Sequence, residues 1–444
     1  MEQLFEHESI PKAYFSLALP VVLGMVASMV YNLADTFFIA QTQITALVAG
    51  VALCTPLFSL LLALGDIFGL GGSSLISRLL GAHDHNTGRR VSSWCFYAAI
   101  ALGILTTIIL LSFERPIIGL LGATSATYHY AASFYHVMVF GAPIIILSLV
   151  PSNLIRTEGF AKASMIGTVA GTVVTIILDP LLIFPLGMGA AGAALATVIG
   201  YGVTDVLLIY ATLKSCEVIS VDWHVARLSW TLVGQVILIG IPASLTNLMQ
   251  AFGTTVLNRY LDGFGPAAVA AMGIVLKVYM IVILVMVGFA FGAQPLIGYS
   301  YGGKHIARFK KIIHFDLLVE CGYSILVAAL LMFFAPHIIS LFMHDREVIR
   351  IGQQLLRAFL TTTPFVGAVL VYTTVFQSIG KAGSALIMAI ARQGVIFYLA
   401  ITIMAALFKL NGIVWAQPVA DVLTCAIGFL LYHRALRVNT SAQR

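Results

Sequence analysis

Long apolar stretches alternate with short polar segments along the whole chain. Residues 91–113, 321–344 and 358–380 each run for 22 or more residues without Asp, Glu, Lys or Arg. A helix of about 20 apolar residues crosses the hydrocarbon core of a bilayer, whereas a barrel strand needs only about 9–11. The pattern therefore predicts an all-α polytopic membrane protein with twelve transmembrane helices. Their predicted positions are residues 13–41, 46–77, 91–113, 128–152, 163–185, 190–213, 231–258, 267–300, 312–335, 355–379, 383–408 and 412–433.

Composition supports a membrane protein. Of the 444 residues, 60% are hydrophobic and only 9% are charged. Soluble domains usually carry about 25% charged residues, so the apolar excess must face lipid. The N-terminal MEQLFEHESIPK is polar and leads into a long span without a small-residue cleavage site, so we expect no cleaved signal peptide. The five cysteines show no metal or disulfide spacing, which indicates packing roles.

Lys and Arg are distributed unequally between the two sides that these spans define. With the N-terminus inside, sixteen fall in inside segments and six in the opposite loops. Cytoplasmic loops are the ones enriched in Lys and Arg, so both termini are predicted to be cytoplasmic, in a multi-pass protein of the inner membrane. The segment HDREVIRIGQQLLR, between the ninth and tenth spans, is an exception because it is basic although placed outside.

The two halves of the chain repeat each other. Pro20 in LALPVVLG corresponds to Pro242 in LIGIPASL, and Gly81, closing the second span, corresponds to Gly302, closing the eighth. RTEGFAKAS and QSIGKAGS form a third match, and GAALAT and GIVWAQ a fourth. Six spans per half make the repeat parallel, which suits alternating access around a central substrate site. We predict an N-terminal six-helix lobe at residues 1–214, a cytoplasmic inter-lobe loop at 215–230 and a C-terminal six-helix lobe at 231–444.

Two acids in the first half are the main candidates for ion coupling, because charges inside membrane helices are costly and usually functional. Depth along the helices places Asp35, Asp179 and Thr197 in one layer, at about 1.5 Å per residue. Tyr31 and Thr175 each lie one turn before an acid. Two carboxylates in a low-dielectric pocket cannot both stay charged cheaply, so they predict a proton carrier. The same oxygens could hold Na⁺ instead. A structural alternative is that Asp179 begins a Pro-interrupted turn and Asp35 caps a helix end.

A second set of charges lies near the midplane of the second half. Lys277, Arg392 and Asp421 each fall about 14–15 Å along their helices, at about 1.5 Å per residue. Asp421 could pair with Arg392 or with Lys277, or these groups could contact substrate. Methionine-rich surfaces adapt to varied ligands, so Met249 and Met280 are candidate substrate residues, and Gln250 beside Met249 is another.

Four other acids lie within the predicted helices, and three of them are expected to have structural roles. We expect Asp205 to face headgroups, and Asp316 with Glu320 to snorkel towards the basic segment before the ninth span or to pair there. Asp66, in a glycine-rich stretch, is either structural or part of a cytoplasmic gate.

The sequence lacks the patterns of common catalytic sites. It contains no HExxH or HxxxH pair and no Walker-type phosphate loop. FGLGGSSL is glycine-rich, but within a membrane helix glycine favours close helix packing. We therefore predict that the protein is not an enzyme, that it has no cofactor beyond a coupling proton or Na⁺, and that it has no nucleic-acid partner.

Six motifs together resemble the multidrug and toxic compound extrusion (MATE) family over essentially the whole chain. They are YNLADTFFIA, GGSSLISRLLG, RTEG, ILDPLLIF, GMGAAGAALAT and QPLIGYSYGG, in that order. The resemblance implies a V-shaped pair of six-helix lobes that exports cationic lipophilic compounds in exchange for protons or Na⁺.

Within the family, the DinF-like branch has its coupling site in the N-terminal lobe. Asp35 and Asp179 match its two acids, and Tyr31 and Thr197 match polar partners, while Thr175 stands where the family often has Asn. The NorM-like branch also uses acids of the second half. Here Gln250 stands near the position of one of them, and the tenth span has none, so the resemblance favours the proton-coupled DinF-like branch.

The leading hypothesis is therefore a drug antiporter that acts as a monomer on small organic cations. A lipid-linked oligosaccharide flippase of the same superfamily is the alternative, and it predicts more cationic groups in the central cavity. A membrane receptor or enzyme is a third class, which the internal repeat and the missing catalytic motifs disfavour.

Overall fold

The computed structural model describes residues 3–441. Helices dominate this part of the chain, and no strand occurs in it. The α-helices are α1 (Ile10–Gln41), α2 (Thr45–Leu53), α3 (Thr55–Gly81), α4 (His85–Ser112), α5 (Glu114–Leu120), α6 (Tyr128–Phe140), α7 (Ala142–Leu154), α8 (Ala161–Ile183), α9 (Gly189–Ser215), α10 (Trp230–Asp262), α11 (Pro266–Gly302), α12 (Ile306–Phe333), α13 (Ala335–Phe342), α14 (Arg346–Thr361), α15 (Thr363–Ser378), α16 (Ala382–Ile390) and α17 (Ile396–Ser441). Short π-helical segments lie at Gln3–His7 and Ala391–Val395, and 3₁₀ turns at Ile155–Glu158 and Trp223–Val225.

The described helices account for the twelve predicted spans. Nine apolar helical segments are long enough to cross a bilayer, and two bent pairs, α6 with α7 and α14 with α15, supply two more. The last segment, Ala382–Ala435, has 54 residues and breaks at Lys409, where φ is 53°. At about 1.5 Å per residue it would be roughly 80 Å long, far more than the roughly 30 Å hydrocarbon core, so it makes two crossings. The predicted fold class is confirmed.

Proline marks both bent spans. Pro143 follows the break before α7, where the axis turns by 51°, and Pro364 follows the break before α15, where it turns by 44°. Proline removes a backbone donor and clashes with the preceding turn, so it fits the first turn of a new helix better than the interior of an old one.

The tenth span begins earlier than the sequence suggested. We predicted its start at residue 355, but α14 begins at Arg346. The Asp345 carboxylate caps this helix by accepting the backbone N–H groups of Glu347 and Val348 at 2.8 and 3.1 Å. Much of the basic segment that was assigned to a loop is therefore an amphipathic helical entry to the span.

Helices of the two halves meet near the end of the bundle where α1 begins, which we call the N-end. There α3 packs against α10 and α11, and α1 packs against α11. A Cβ atom added to Gly81 would overlap the Tyr299 carbonyl oxygen, and one added to Gly302 would overlap that of Arg78. Helices can approach this closely only where side chains are small, so the paired glycines allow α3 and α11 to close the N-end.

The first described residues add to this closure. The Tyr299 hydroxyl on α11 donates to the Glu6 carboxylate at 2.8 Å, and the Phe5 ring packs against the Tyr299 ring with centroids 4.9 Å apart and planes tilted by 32°. Arg308 at the start of α12 donates to the Glu8 carbonyl at 2.8 Å. The segment before α1 is thus held by the second half, which ties the two halves together at the N-end.

Candidate ion site and central cavity

Asp35 on α1 and Asp179 on α8 lie close enough for charge repulsion to act between their carboxylates. Asp179 is fully buried, and neither of its carboxylate oxygens has a hydrogen-bond partner in the protein. The Oδ1 atom of Asp35 is also buried without a partner. Buried polar groups are normally paired, so these three free oxygens make the site a candidate for binding a proton or a cation.

Hydroxyl groups surround the two acids. The Tyr31 and Thr197 hydroxyls, from α1 and α9, lie 2.6 Å apart, and Tyr31 is close enough to both acids to interact electrostatically. The Thr175 hydroxyl on α8 donates to the Gly171 carbonyl at 3.0 Å. Gly200 of α9 lies against Thr175, and a Cβ there would overlap its hydroxyl. The structure thus brings together all five residues that were predicted to form the coupling site, although it does not test their role.

The donor set suits a proton or a hard monovalent cation. Among the side chains that the structure describes, no group of three or more His, Cys, Asp or Glu could hold a metal ion. Two carboxylates with nearby hydroxyls remain, and oxygen ligands of this kind suit hard cations rather than transition metals. A Na⁺ ion would therefore take these carboxylates and hydroxyls as ligands, together with backbone carbonyls.

A cavity of about 670 Å³ lies between the two halves. Tyr31 and Thr175 form part of its wall, so the candidate ion site borders it. Four of the six predicted substrate residues also line it; they are Gln250, Lys277, Met280 and Arg392.

The other two predicted substrate residues do not line this cavity. Met249 lies against the π-helical segment instead, because a Cβ added to Gly394 would be 2.9 Å from its sulfur. Asp421 is fully buried behind Arg392. Helical spacing predicted how deep both residues lie along their helices, but not which way their side chains face. The prediction that both line the cavity was wrong for this reason.

Arg392, rather than Lys277, is the partner of Asp421. The Arg392 Nε atom donates to Asp421 Oδ1 at 2.9 Å, and its Nη2 atom donates to the Tyr279 hydroxyl at 3.2 Å. Gln417 and Thr362 also donate to Asp421, at 2.9 and 3.2 Å. Both oxygens of the acid therefore have donors, and the network fixes Arg392 in the cavity wall.

Lys277 has no such partner. Its side chain is exposed to the cavity, and it forms no ion pair with any carboxylate among the described side chains. An unpaired ammonium inside a membrane protein is costly unless water or a ligand compensates it. Lys277 is therefore available to an anionic group in the cavity.

Asp66 on α3 supplies the acidic side of the cavity. It is the one carboxylate among the lining residues, and it accepts a hydrogen bond from Asn247 of α10 at 3.1 Å. Arg156, which also lines the cavity, interacts with it electrostatically. The sequence placed Asp66 in a span but could not choose between a structural role and a gate. Its hydrogen-bond partner Asn247 is uncharged, so the charge pattern of the sequence did not mark it as a candidate.

Three acids contradict the expectations from their position along the helices. Asp316 and Glu320 were expected to reach the basic segment before α12, yet both are fully buried and neither pairs with a described basic side chain. Asp205 was expected to face headgroups, yet it is only 6% exposed and lies against α7 near Ser148. Distance from a helix end does not reveal which neighbouring helix covers a side chain.

Two helical bundles with a cavity between them, built from helices long and apolar enough to cross a membrane, have the architecture of a membrane transporter. The family model MatE matches residues 20–181 and again residues 242–407. Multidrug export protein MepA of Staphylococcus aureus (strain MSSA476) is 32% identical over 439 residues, covering 98% of this chain and 96% of that protein. The chain belongs to the MATE family.

Solved structures give the same result. A crystal structure of a MATE in complex with MaD3S is 25% identical, with a TM-score of 0.92, and the alignment covers 100% of this chain and 99% of that one. A MOP superfamily transporter from Pyrococcus furiosus, reported with reversed polarity of its binding pocket, is also 25% identical, with a TM-score of 0.91 and coverage of 98% and 97%. The resemblance predicted from the six motifs is confirmed at the level of the family.

Proposed function

We propose that this protein is a multidrug antiporter, which exports lipophilic organic cations in exchange for protons. The observation that carries the proposal is the position of the coupling candidates: Asp35 and Asp179 are unsatisfied, and their neighbours Tyr31 and Thr175 form part of the cavity wall. Ion binding at the acids can therefore change the shape of the wall that a substrate touches. The relative MepA is a multidrug export protein, which supports the same class of substrate.

The cavity has the chemistry that varied lipophilic cations require. Most of the surface that lines it is apolar, and Met25 and Met280 are flexible side chains that can adjust to different ligands. Asp66 offers one negative charge to a cationic substrate. A site of this kind binds through apolar contact area and charge attraction rather than through a fixed set of hydrogen bonds, which favours broad specificity.

We attribute proton coupling to the different stabilities of the protonated and ionised states of Asp35 and Asp179. When Asp35 and Asp179 share a proton, the site needs no other cation. When the proton leaves, two buried charges repel each other, which favours a different arrangement of α1 and α8. Helix α15 carries no charged residue at the place where a NorM-like relative would carry an acid, which supports the DinF-like branch and protons over Na⁺.

We place the N-end and both termini on the cytoplasmic side of the membrane. The excess of Lys and Arg on the side of the termini supports a cytoplasmic N-end in the inner membrane. Export then starts from the conformation in which α3 and α11 separate at the N-end, and release occurs towards the opposite side. Each monomer contains a complete cavity, so no second copy is needed for transport.

Proteoliposomes provide the test. We expect an imposed proton gradient to drive export of ethidium by the wild-type protein, and Asp35→Asn to abolish that coupling. Glu347→Gln removes an exposed acid at the start of α14 and serves as the matched control. Equal proton-driven export by Asp35→Asn and wild type would refute the coupling site, and export driven by a Na⁺ gradient alone would refute proton coupling.

A lipid-linked oligosaccharide flippase is a second candidate, and one observation favours it. Three cationic side chains, Arg156, Lys277 and Arg392, line the cavity against the single carboxylate of Asp66. A pyrophosphate-linked substrate would suit that balance. Translocation of a fluorescent pyrophosphate lipid in the same proteoliposomes, without ethidium export, would favour the flippase.

A further inference from the structure

A buried polar cluster joins the two halves at the N-end, away from the central cavity. The Tyr14 hydroxyl on α1 donates to Asp316 Oδ1 on α12 at 2.7 Å, and both side chains are fully buried. Tyr14 belongs to the first half and Asp316 to the second. This bond therefore exists only while the halves are in contact at the N-end.

Glu320 follows Asp316 by one helical turn and completes the cluster. It is 0% exposed, and neither of its carboxylate oxygens has a hydrogen-bond partner; Asp316 Oδ2 has none either. The backbone of Ala290 on α11 faces Glu320 without completing a hydrogen bond. Gly367 of α15 covers it from another side, where an added Cβ would be 3.2 Å from the Glu320 Cβ. Three buried carboxylate oxygens of the cluster thus have no hydrogen-bond partner.

Among the described side chains, no basic group interacts with these two acids. The other titratable groups that face Glu320 are Tyr14, Cys321 and Tyr323. The facing stretch of α11, residues 282–295, and the whole of α15 contain no Asp, Glu, Lys, Arg or His. Two adjacent carboxylates cannot both remain ionised in such an interior, because burial penalises each charge and the charges repel each other. A single proton satisfies the cluster with the least rearrangement.

We propose that Asp316 and Glu320 bind one proton as a unit, in a second proton site that controls the N-end. The proton lies on Glu320 while the Tyr14 hydroxyl stabilises ionised Asp316. When the halves separate, Tyr14 withdraws and water reaches the pair, so the proton leaves to the N-end side. Protonation therefore favours the closed N-end, and deprotonation favours its opening. This site is distinct from Asp35 and Asp179, and it does not depend on which ion drives export.

Infrared spectroscopy tests the proton itself. A protonated carboxylic acid shows a carbonyl-stretch band that a carboxylate lacks. In nanodiscs at neutral pH, we expect the difference spectrum of wild type minus Glu320→Gln to contain such a band, and Glu320→Asp to restore it. Glu347→Gln is the control for loss of an exposed acid. Thermal unfolding of each variant shows whether it is folded. If folded Glu320→Gln and wild type have the same band at every pH, the proposal is wrong.

Cysteine accessibility tests the link to the N-end. Ser77 on α3 is buried against Gly298 of α11, where an added Cβ would be 2.7 Å from the Ser77 Cβ. A Ser77→Cys variant should react with a water-soluble maleimide only when the halves separate, after correction for the parent's own cysteines. For one linked proton, the open-to-closed ratio changes by at most about tenfold per pH unit. We expect labelling to accelerate as the pH rises.

Two further variants complete the test. Glu320→Gln mimics the protonated state, so it should label slowly and lose this pH dependence. Tyr14→Phe should label faster at every pH, because it removes the bond between the halves. Equal pH dependence in wild type and Glu320→Gln would overturn the proposal. Since labelling needs no drug and no gradient, this outcome differs from a failure of drug–proton antiport.

Discussion

The hydroxyl groups of Tyr31 and Thr197 lie 2.6 Å apart and join α1 to α9 beside the candidate ion site. Both side chains are at least nine-tenths buried. Because this bond links two helices of the first half next to Asp35 and Asp179, it can hold the two carboxylates at a fixed separation. Ion affinity should therefore depend on a bond in which neither partner is charged.

Tyr31→Phe tests this dependence. The substitution removes the bond and leaves the Thr197 hydroxyl without its partner, at a cost of about 1 kcal/mol. We expect the proton or Na⁺ concentration that gives half-maximal export to shift by about fivefold, since about 1.4 kcal/mol corresponds to tenfold. Tyr260→Phe breaks a similar but exposed Tyr–Thr pair in the second half, with Thr402 at 3.0 Å, and is the control. An equal effect in both variants would contradict the prediction.

The Arg392–Asp421 pair should contribute mainly to stability. Arg392→Met leaves a fully buried carboxylate without its cation, a type of change that costs about 3–5 kcal/mol. We expect a lower unfolding temperature in detergent, and partial recovery when Asp421→Asn is added. Lys277→Met, which removes an unpaired cation from the same cavity, should leave the unfolding temperature nearly unchanged. Additive losses in the double variant would show that the two side chains do not interact.

Close packing at the N-end should tolerate no added methyl group. In Gly81→Ala the new Cβ overlaps the Tyr299 carbonyl oxygen, and overpacking of this kind costs about 1–3 kcal/mol. We expect the N-end to open more often, so that an introduced Ser77→Cys reacts faster with a water-soluble maleimide. Gly273→Ala on α11, with open space around the new atom, is the matched control. Unchanged labelling in Gly81→Ala would mean that α3 and α11 can adjust without separating.

Glu158 should hold the loop between the halves. Its carboxylate accepts the backbone N–H groups of Glu217, Val218 and Ile219 at 2.5–2.9 Å. Glu158→Gln replaces one acceptor oxygen by a donor, so at least one N–H loses its partner, and bonds to a charged group contribute about 1.5–3 kcal/mol each. We expect faster trypsin cleavage within residues 214–230. Glu217→Gln changes an exposed side chain of the same loop, and cleavage as fast in that variant would contradict the assignment.

The charge at residue 277 should select among substrates. Lys277 has no ion-pair partner among the described side chains, so it disfavours cations nearby and attracts anionic groups. We expect Lys277→Met to increase export of dicationic dyes and to decrease export of zwitterionic drugs that carry a carboxylate. Uptake of both classes into inverted vesicles measures the ratio. If export of the two classes changes in the same direction, Lys277 does not select substrates by their charge.

Much of the candidate ion site could be predicted from the sequence because depth in a membrane follows from residue number. Asp35, Asp179 and Thr197 were placed in one layer by counting residues from the helix ends, and Tyr31 and Thr175 by helical spacing. The same reasoning failed for Asp316 and Glu320. Counting gave their depth, but it could not show that Tyr14 approaches from the other half or that no basic side chain does.

The sequence by itself determined the spans, the repeat and the family, because a bilayer imposes helix length and apolarity directly on the chain. Only the tertiary structure decided which helix faces which. The rotation of each helix about its axis depends on packing with its neighbours, and the local pattern does not record it. That rotation paired Asp421 with Arg392, left Lys277 free in the cavity and enclosed Glu320 without a partner.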